Sequence, residues 1–259
     1  GGRMLSTWGT DRALGTHNTQ PASGTVFFDS TQMRVTEIIP TAADISHAFI
    51  CFAEDRLDLC KSDINRSYDI NVRSTKQVID DLRALRIKPI FLSSDCVFDG
   101  EKGNRNEQEI PNPINVYGSQ KLEIEEYLIS QLEDYAILRL TKVFGTDPED
   151  GSIPSIWLNQ IRQSEEILIA NDQVFSPIHV DDVVAVADAV VRLNLNGLFN
   201  VSNSESCTRL GFLKIFLECL DIDAKVTECS IRDFDFLELR PLDGSISPNK
   251  IMEATGLKF

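Results

Sequence analysis

The sequence predicts an α/β fold in which a doubly wound parallel sheet is joined to a smaller, interleaved α+β part at the C-terminal end. Uniformly apolar stretches alternate with helical stretches through the first half of the chain. Strands that are apolar along their whole length are buried on both faces, and a parallel sheet achieves this with helices on each side. The sequence pattern changes after Gly145. Turn-forming residues at 148–151 are followed by predicted helices and strands that no longer alternate regularly.

Short apolar stretches account for the predicted strands. In chain order they lie at 12–16, 25–28, 47–53, 88–93, 135–140 and 198–202. Helices are predicted between and after these strands because apolar residues recur there near a spacing of three to four, as Val78, Ile79 and Leu82 do. These helices lie at 71–85, 119–132, 153–163, 179–191 and 211–220.

The net charge and the cysteine content exclude several classes of function. The 259 residues include 25 Lys+Arg and 40 Asp+Glu, a formal net charge of −15. Nucleic acid and anionic membranes attract positive surfaces, so we expect neither as a partner. The six cysteines form no C-x-x-C pair and the three histidines are scattered, which predicts reduced thiols, no metal site and a cytoplasmic location. We expect no transmembrane helix or signal peptide, and the composition permits a monomer or a homodimer.

The segment Tyr117-Gly-Ser-Gln-Lys121 places a phenol and an ammonium on one face of a predicted helix, because residues four apart are neighbours there. An ammonium favours phenolate, so we expect Lys121 to lower the pKa of Tyr117 towards the working pH. The alternative is an amphipathic surface helix that carries one lysine.

Two serines end the strand predicted at 88–93. Ser93 and Ser94 lie at its carboxyl end, the edge where open α/β sheets bind ligands. The alternative is that both hydroxyls bond local backbone and terminate the strand. If Ser94, Tyr117 and Lys121 converge at this edge, they can polarise and protonate a carbonyl as hydride arrives.

With Ser94, Tyr117 and Lys121 in these positions, the sequence resembles the extended short-chain dehydrogenase/reductase family, and within it the dTDP-4-dehydrorhamnose reductase group. The resemblance runs through Asn71-Val72, Ser93 to Gly100, Pro113 to Lys121, Ile137 to Gly145, Pro177 to Asp182, and Arg240-Pro241. The run that ends in Val-Phe-Asp-Gly100 is the most specific of these. Sugar-nucleotide 4,6-dehydratases place an Asp-Glu pair after the active-site hydroxyl, whereas Asp95 is followed by Cys96 here, which favours simple ketone reduction.

The resemblance implies roles for individual residues. Ser94 would hold the sugar keto oxygen, Tyr117 would donate its proton, and Lys121 would tune Tyr117 and bind the nicotinamide ribose. The residues implied to contact the nucleotide sugar are Ser94, Asp95 and Lys142. For Lys142 the alternative is a solvated lysine at a strand end. The residues implied to bind the cofactor are Gly1, Gly2, Asp29, Ser30, Phe52, Ala53, Asn71, Ser93, Tyr117 and Lys121.

The same resemblance implies a dinucleotide-binding Rossmann-like domain over 1–145, to which 180–203 returns, and a smaller substrate-binding domain over 146–259. The segment Gly15-Thr16-His17-Asn18 contains no acid that would hold a ribose 2′-hydroxyl. NADPH is therefore favoured as the cofactor, and NADH remains an alternative.

The residues implied to bind the cofactor differ from the family pattern at two places. The Gly-rich turn that lets backbone approach a pyrophosphate is represented only by Gly1-Gly2. We expect the gene to contain a strand before Gly1 and further residues between Gly2 and Met4; the competing hypothesis is a degenerate pocket. Phe52 adds bulk where relatives have small residues, unless it points into the sheet core.

The implied position of Asp29-Ser30 near the adenine also has an alternative, a simple turn after a short strand.

The leading hypothesis is therefore an enzyme of carbohydrate biosynthesis that reduces a nucleotide-linked 4-keto-6-deoxy sugar with NADPH, Tyr117 being the proton donor. The alternative is a non-catalytic NADP-binding subunit that resembles the regulatory subunit of methionine adenosyltransferase. An epimerase, or a reductase of another keto substrate, is a third option.

Overall fold

The computed structural model describes residues 1–39 and 44–259, and its elements follow the predicted alternation of strands and helices. The strands are β1 (Gly15–His17), β2 (Thr25–Phe27), β3 (His47–Ile50), β4 (Lys88–Ser94), β5 (Ala136–Leu140), β6 (Val143–Phe144), β7 (Ile167–Ala170), β8 (Val174–Phe175), β9 (Ile178–His179), β10 (Gly197–Val201), β11 (Cys207–Thr208) and β12 (Val226–Cys229). The helices are α1 (Gly2–Trp8), α2 (Leu57–Ser62), α3 (Ile64–Tyr68), α4 (Ser74–Ala84), α5 (Val116–Gln131), α6 (Ile153–Arg162), α7 (Val180–Arg192), α8 (Arg209–Leu220) and α9 (Asn249–Thr255).

The main sheet contains four parallel strands in the order β10-β5-β4-β3. Its register places Ser93 beside Arg139 and Ser94 beside Leu140. Because all four strands run in the same direction, their carboxyl ends lie at one edge, where the loops after β3, β4 and β5 meet. Strands β1 and β2 form a separate parallel pair.

Apolar side chains cover both faces of the main sheet, which confirms the doubly wound class. Ile90 and Leu138 pack on one face with residues of α7 and α9. Phe91 and Ile137 pack on the other face with residues of α4 and α5. Since neighbouring residues of a strand point to opposite faces, burial on both sides explains the uniform apolarity of β4 and β5.

The C-terminal part builds a smaller core from two-stranded pairs and helices. β12 pairs with β7, β11 with β8, and β6 with β9. Trp157, Ile167, Ile169 and Leu213 form the buried centre of this part. Because α7 and β10 pack on and within the main sheet, the two parts are interleaved as predicted. The domain boundary at residue 145 stays a prediction.

Several elements begin or end at residues other than those predicted; β1 lies at Gly15–His17 rather than 12–16, and α5 begins at Val116 rather than 119. Strand β3 ends at Ile50 rather than 53, because the backbone of Glu54 bonds to the Asn71 side chain instead of a neighbouring strand. The helix predicted from residue 71 is preceded by a π-helical turn at Asp69–Arg73. Within the described ranges, no helix combines the length and apolar character that crossing a membrane requires.

Candidate active site

A cavity of about 1790 Å³ lies at the carboxyl edge of the main sheet. We call the side formed by Ser94, Tyr117 and Lys121 the sheet wall, and the side formed by Phe175, Arg209 and Arg240 the C-terminal wall; all six residues line the cavity. Pockets for a single small ligand have volumes of roughly 300–1,000 Å³. The cavity is therefore large enough to hold two such ligands together.

The start of α5 positions Tyr117 on the sheet wall. Asn115 caps this helix, since its Oδ1 accepts a hydrogen bond from the Gly118 N–H at 2.8 Å. A Cβ added at Gly118 would overlap the carbonyl oxygen of Cys96, so only glycine lets the helix approach the turn after β4 so closely. This approach leaves Tyr117 buried, and both Tyr117 and Ser94 line the cavity.

Lys121 lies one helical turn after Tyr117 and is held against β4. Its Nζ donates a hydrogen bond to the Leu92 carbonyl oxygen at 2.8 Å and lies 5.6 Å from the centre of the Tyr117 ring. Burial lowers the pKa of Lys121 to about 8, with the charges of Cys51 and Asp55 opposing the shift. The predicted convergence of the phenol and the ammonium on one helix face is therefore present.

The pKa of Tyr117 differs from the expectation. We predicted that Lys121 would lower it, but burial raises the pKa of Tyr117 well above its ordinary value, and the charges of Cys96 and Asp55 add to the rise. Desolvation disfavours phenolate more strongly than the lysine favours it. Tyr117 is consequently a neutral phenol, the form that can donate a proton.

Ser94 makes local bonds and also lines the cavity. Its Oγ donates to Asp95 Oδ1 at 2.8 Å and accepts from the Cys96 N–H at 3.2 Å, which starts a 3₁₀ turn at Asp95–Val97. Burial raises the pKa of the Asp95 carboxyl, while the Ser94 bond and the charges of Lys142 and Arg209 oppose that rise. Lys142 is exposed at the rim of the same cavity.

Ser93 is tied to a buried ion pair beneath the sheet edge. Its Oγ donates to Glu125 Oε1 at 2.5 Å, and Arg139 NH2 donates to Glu125 Oε2 at 2.6 Å. The Glu125 and Arg139 side chains are only 1% and 3% exposed. The sequence analysis did not identify this pair, although Glu125 follows Lys121 by one helical turn.

Of the residues predicted to bind the cofactor, Ala53, Ser93, Tyr117 and Lys121 line the cavity. Phe52 lies outside the lining and packs against the core beneath the sheet, as its alternative predicted. Asp29 forms a turn instead, with Oδ1 accepting from the Thr31 N–H at 2.9 Å. Ser30 accepts a hydrogen bond from Ser74 Oγ at 3.2 Å and is likewise outside the lining.

Asn71 has an internal role. It is buried, exchanges hydrogen bonds with the Glu54 backbone at 2.8 and 2.9 Å, and donates to Gln120 Oε1 at 2.8 Å. These bonds fix the loop after β3 to α5, and Asn71 does not line the cavity. A contact between Asn71 and the cofactor stays a prediction.

Gly1 and Gly2 begin α1 at the edge of the cavity without lining it. Gly1 lies beside Cys51, since a Cβ added at Gly1 would be 3.9 Å from the Cys51 Cβ. The helix contributes Arg3 and Ser6 to the cavity lining in their place.

The C-terminal wall contains two arginines that the sequence analysis gave no site role. Arg209 Nε donates to Gln173 Oε1 at 3.0 Å, and its guanidinium carbon lies 4.2 Å from the centre of the Phe175 ring. Burial lowers the pKa of Arg209 to about 10. Arg240 NH2 pairs with Asp58 at 3.0 Å. Arg240 was visible only as part of the Arg-Pro motif, and no motif in the sequence marked Arg209.

Among the described residues, no three His, Cys, Asp or Glu side chains come together as a set that could hold a metal ion.

A doubly wound sheet with Ser94, Tyr117 and Lys121 at its carboxyl edge defines the extended short-chain dehydrogenase/reductase class. Residues 27–259 match the model of the RmlD substrate binding domain, and the chain belongs to that family. This result confirms the resemblance to dTDP-4-dehydrorhamnose reductases.

Individual relatives come from two groups. The structure of dTDP-4-dehydrorhamnose reductase from Bacillus anthracis in complex with NADP aligns with a TM-score of 0.85 and 22% identity, over 100% of this chain and 90% of that chain. The dTDP-4-dehydrorhamnose reductase of Sinorhizobium fredii is 25% identical over 215 residues, 78% of this chain and 72% of that protein. Methionine adenosyltransferase 2 subunit beta of Bos taurus is 28% identical over 166 residues, 61% of this chain. That match spans only 50% of the bovine protein's length.

Proposed function

We propose that the protein is an NADPH-dependent reductase that converts the ketone of a nucleotide-linked 4-keto-6-deoxy sugar to an alcohol, with NADH as a second acceptable cofactor. The observation that carries this proposal is the placement of Ser94, Tyr117 and Lys121 on one wall of the cavity. The relatives named as dTDP-4-dehydrorhamnose reductases support the substrate class, and the structure in complex with NADP supports the cofactor.

The residues at the sheet edge fit a nicotinamide dinucleotide. The cavity has room for a dinucleotide and a nucleotide sugar side by side. Lys121 uses one of its three N–H donors on the Leu92 carbonyl, which leaves donors for the hydroxyls of a ribose. A bound nicotinamide would supply the hydride.

The chain's own residues would handle the proton and the developing negative charge. Tyr117, kept neutral by burial, donates its phenolic proton to the carbonyl oxygen. Ser94 turns its hydroxyl proton from Asp95 to the same oxygen by rotation about the Cβ–Oγ bond. Two donors then stabilise the charge that develops on that oxygen as the carbon is reduced. Lys121, held by Leu92 O, stabilises the phenolate that remains on Tyr117.

The test is a spectrophotometric assay of purified protein with NADPH and a dTDP-4-keto-6-deoxy sugar, followed by the loss of NADPH absorbance. We expect turnover by the wild type and a fall in kcat of about 10²- to 10⁴-fold in Tyr117→Phe, because a positioned general acid contributes that much. Fluorescence titration of the variant with NADPH provides the control, since a fall in kcat measured at saturating NADPH cannot result from weaker cofactor binding. Absence of turnover with several such sugars, or undiminished turnover by Tyr117→Phe, would contradict the proposal.

A second candidate function is that of a non-catalytic regulatory subunit. The match to methionine adenosyltransferase 2 subunit beta over 166 residues favours it. It predicts NADPH binding without turnover of any keto sugar, together with altered activity of a methionine adenosyltransferase catalytic subunit on mixing. Running both assays on one preparation separates the two candidates.

A further inference from the structure

We propose that Arg209 is a specificity-determining residue that binds an anionic group of the substrate, a phosphate or a carboxylate, from the C-terminal wall. The inference rests on the proposed function, because it assigns a residue to the substrate half of the same cavity. It does not depend on the chemistry of Tyr117.

The guanidinium of Arg209 is held in place on one side and open on the other. Its Nε donates to Gln173 Oε1 at 3.0 Å, its guanidinium carbon lies 4.2 Å from the centre of the Phe175 ring, and its backbone N–H donates to the Gln173 carbonyl oxygen at 3.0 Å. Neither terminal nitrogen has a hydrogen-bond partner within residues 1–39 and 44–259. Two parallel donors on a fixed plane match the two oxygens of a phosphate or carboxylate.

The surrounding charges also leave room for an anion. Asp95, Lys142 and Arg209 all line the cavity, and both cations act on the Asp95 carboxyl. Two cations therefore meet one acid, in a chain whose overall net charge is −15. Lys142 has no ion-pair partner in the part of the chain that the structure describes. A substrate anion would complete this group of charges.

Arg240, the other arginine of this wall, is committed in part, since its buried NH1 has no hydrogen-bond partner among the described residues. Its NH2 pairs with Asp58 at 3.0 Å, and its guanidinium carbon lies 4.3 Å from the centre of the Phe236 ring. Arg209 is thus the arginine of the C-terminal wall on which both terminal nitrogens can donate to a new partner, since neither has one among the described residues.

Binding measurements test this assignment without requiring turnover. We would titrate dTDP-glucose, UDP-glucose and UDP-glucuronate by calorimetry into the protein with NADPH present, using the wild type, Arg209→Gln and Arg209→Lys. A hydrogen-bonded charge pair predicts a loss of affinity of about 10- to 100-fold in Arg209→Gln and a smaller loss in Arg209→Lys, which keeps the charge but not the planar fork. Lys214→Gln, an exposed change on the same helix, removes equal charge and should bind like the wild type.

Comparing the three ligands shows whether Arg209 binds the diphosphate or a carboxylate on the sugar. If Arg209 holds the diphosphate, Arg209→Gln weakens every nucleotide sugar that the wild type binds. If it holds a carboxylate on the sugar, only UDP-glucuronate weakens, and the substrate then differs from the 4-keto-6-deoxy sugar proposed above, which has no carboxylate. Unchanged affinities in Arg209→Gln would overturn the inference while leaving the reductase proposal intact, whereas a wild type that binds none of the three would contradict both.

Discussion

The sheet wall and the C-terminal wall hold their polar groups in different ways. Tyr117 and Lys121 follow each other on a single helix, and Lys121 is bonded to the backbone of the neighbouring strand. Arg209 and Arg240 come from separate segments and are held by side chains: a glutamine, an aspartate and aromatic rings. The wall proposed for proton transfer is thus fixed by regular secondary structure. The wall proposed for charge recognition is assembled from distant pieces of the chain.

This contrast fits the needs of the two tasks. Proton transfer requires a fixed approach within hydrogen-bond distance, which an α-helix packed on a strand provides. Charge recognition tolerates more variation in distance, because electrostatic attraction falls off gradually. Variants that weaken the support of the sheet wall should therefore have larger effects than variants of the exposed charges at the cavity rim.

The largest effect is expected from breaking the buried ion pair beneath the sheet wall. Arg139→Met leaves Glu125 charged and unpaired in the core, which should lower the free energy of unfolding by about 3–5 kcal/mol in chemical denaturation. The double variant Glu125→Leu/Arg139→Met should recover most of that loss, because no buried charge remains. Arg73→Met removes the exposed pair with Asp69 and should change stability by at most about 1 kcal/mol. Equal losses in Arg139→Met and Arg73→Met would show that the buried pair does not support this wall.

The next effect concerns the close approach of α5 to the turn after β4. In Gly118→Ala the new methyl group meets the Cys96 carbonyl oxygen, a backbone atom that cannot rotate away. We expect a loss of about 1–3 kcal/mol in the free energy of unfolding, as for other overpacked sites, together with lower kcat as Tyr117 shifts. Ser119→Ala, an exposed neighbour on the same helix, is the matched control. A fully active and stable Gly118→Ala protein would mean that this contact does not position Tyr117.

The pH profile tests the charge on Lys121. A lysine is charged below its pKa, so a value lowered to about 8 means that Lys121 loses its proton as pH rises through 8. If that charge is needed, kcat/KM of the free enzyme should be about tenfold lower at pH 9 than at pH 7. Lys121→Arg stays charged throughout and should lack this alkaline decline, whatever its absolute rate. A wild-type profile that stays flat to pH 10 would show that the charge is not required.

The difference between the two walls also explains what the sequence could predict. Ser94, Tyr117 and Lys121 were identified because a strand end and a four-residue helical spacing are local patterns, and parallel strands bring their carboxyl ends together. The doubly wound sheet was predictable for the same reason. Arg209 was missed because its position depends on the pairing of Thr208 with Val174, which no local pattern reveals.

Other features of the site depend on properties that a motif does not contain. A motif does not show how deeply a side chain is buried, so the rise in the pKa of Tyr117 was predicted with the wrong sign. Asn71 was assigned to the cofactor by resemblance, and the sequence could not show that its side chain also bonds to Glu54 and Gln120 in separate elements. Phe52 likewise points towards the core of the sheet.

The smallest effect is expected from a substitution of Lys142. It distinguishes the two interpretations of this residue, a contact to the nucleotide sugar and a solvated lysine at a strand end. Lys142 is exposed at the cavity rim, so its attraction to a substrate anion is screened by water and should be worth at most about 1 kcal/mol. Lys142→Gln should therefore raise KM about two- to fivefold at low salt and leave kcat unchanged. The difference should vanish near 1 M salt, where the screening length is about 3 Å. The solvated-lysine interpretation predicts instead no change in KM at any salt concentration, the result expected for Lys214→Gln. An effect larger than that of Arg209→Gln would reverse the assignment, making the exposed lysine rather than the half-buried arginine the main anion contact.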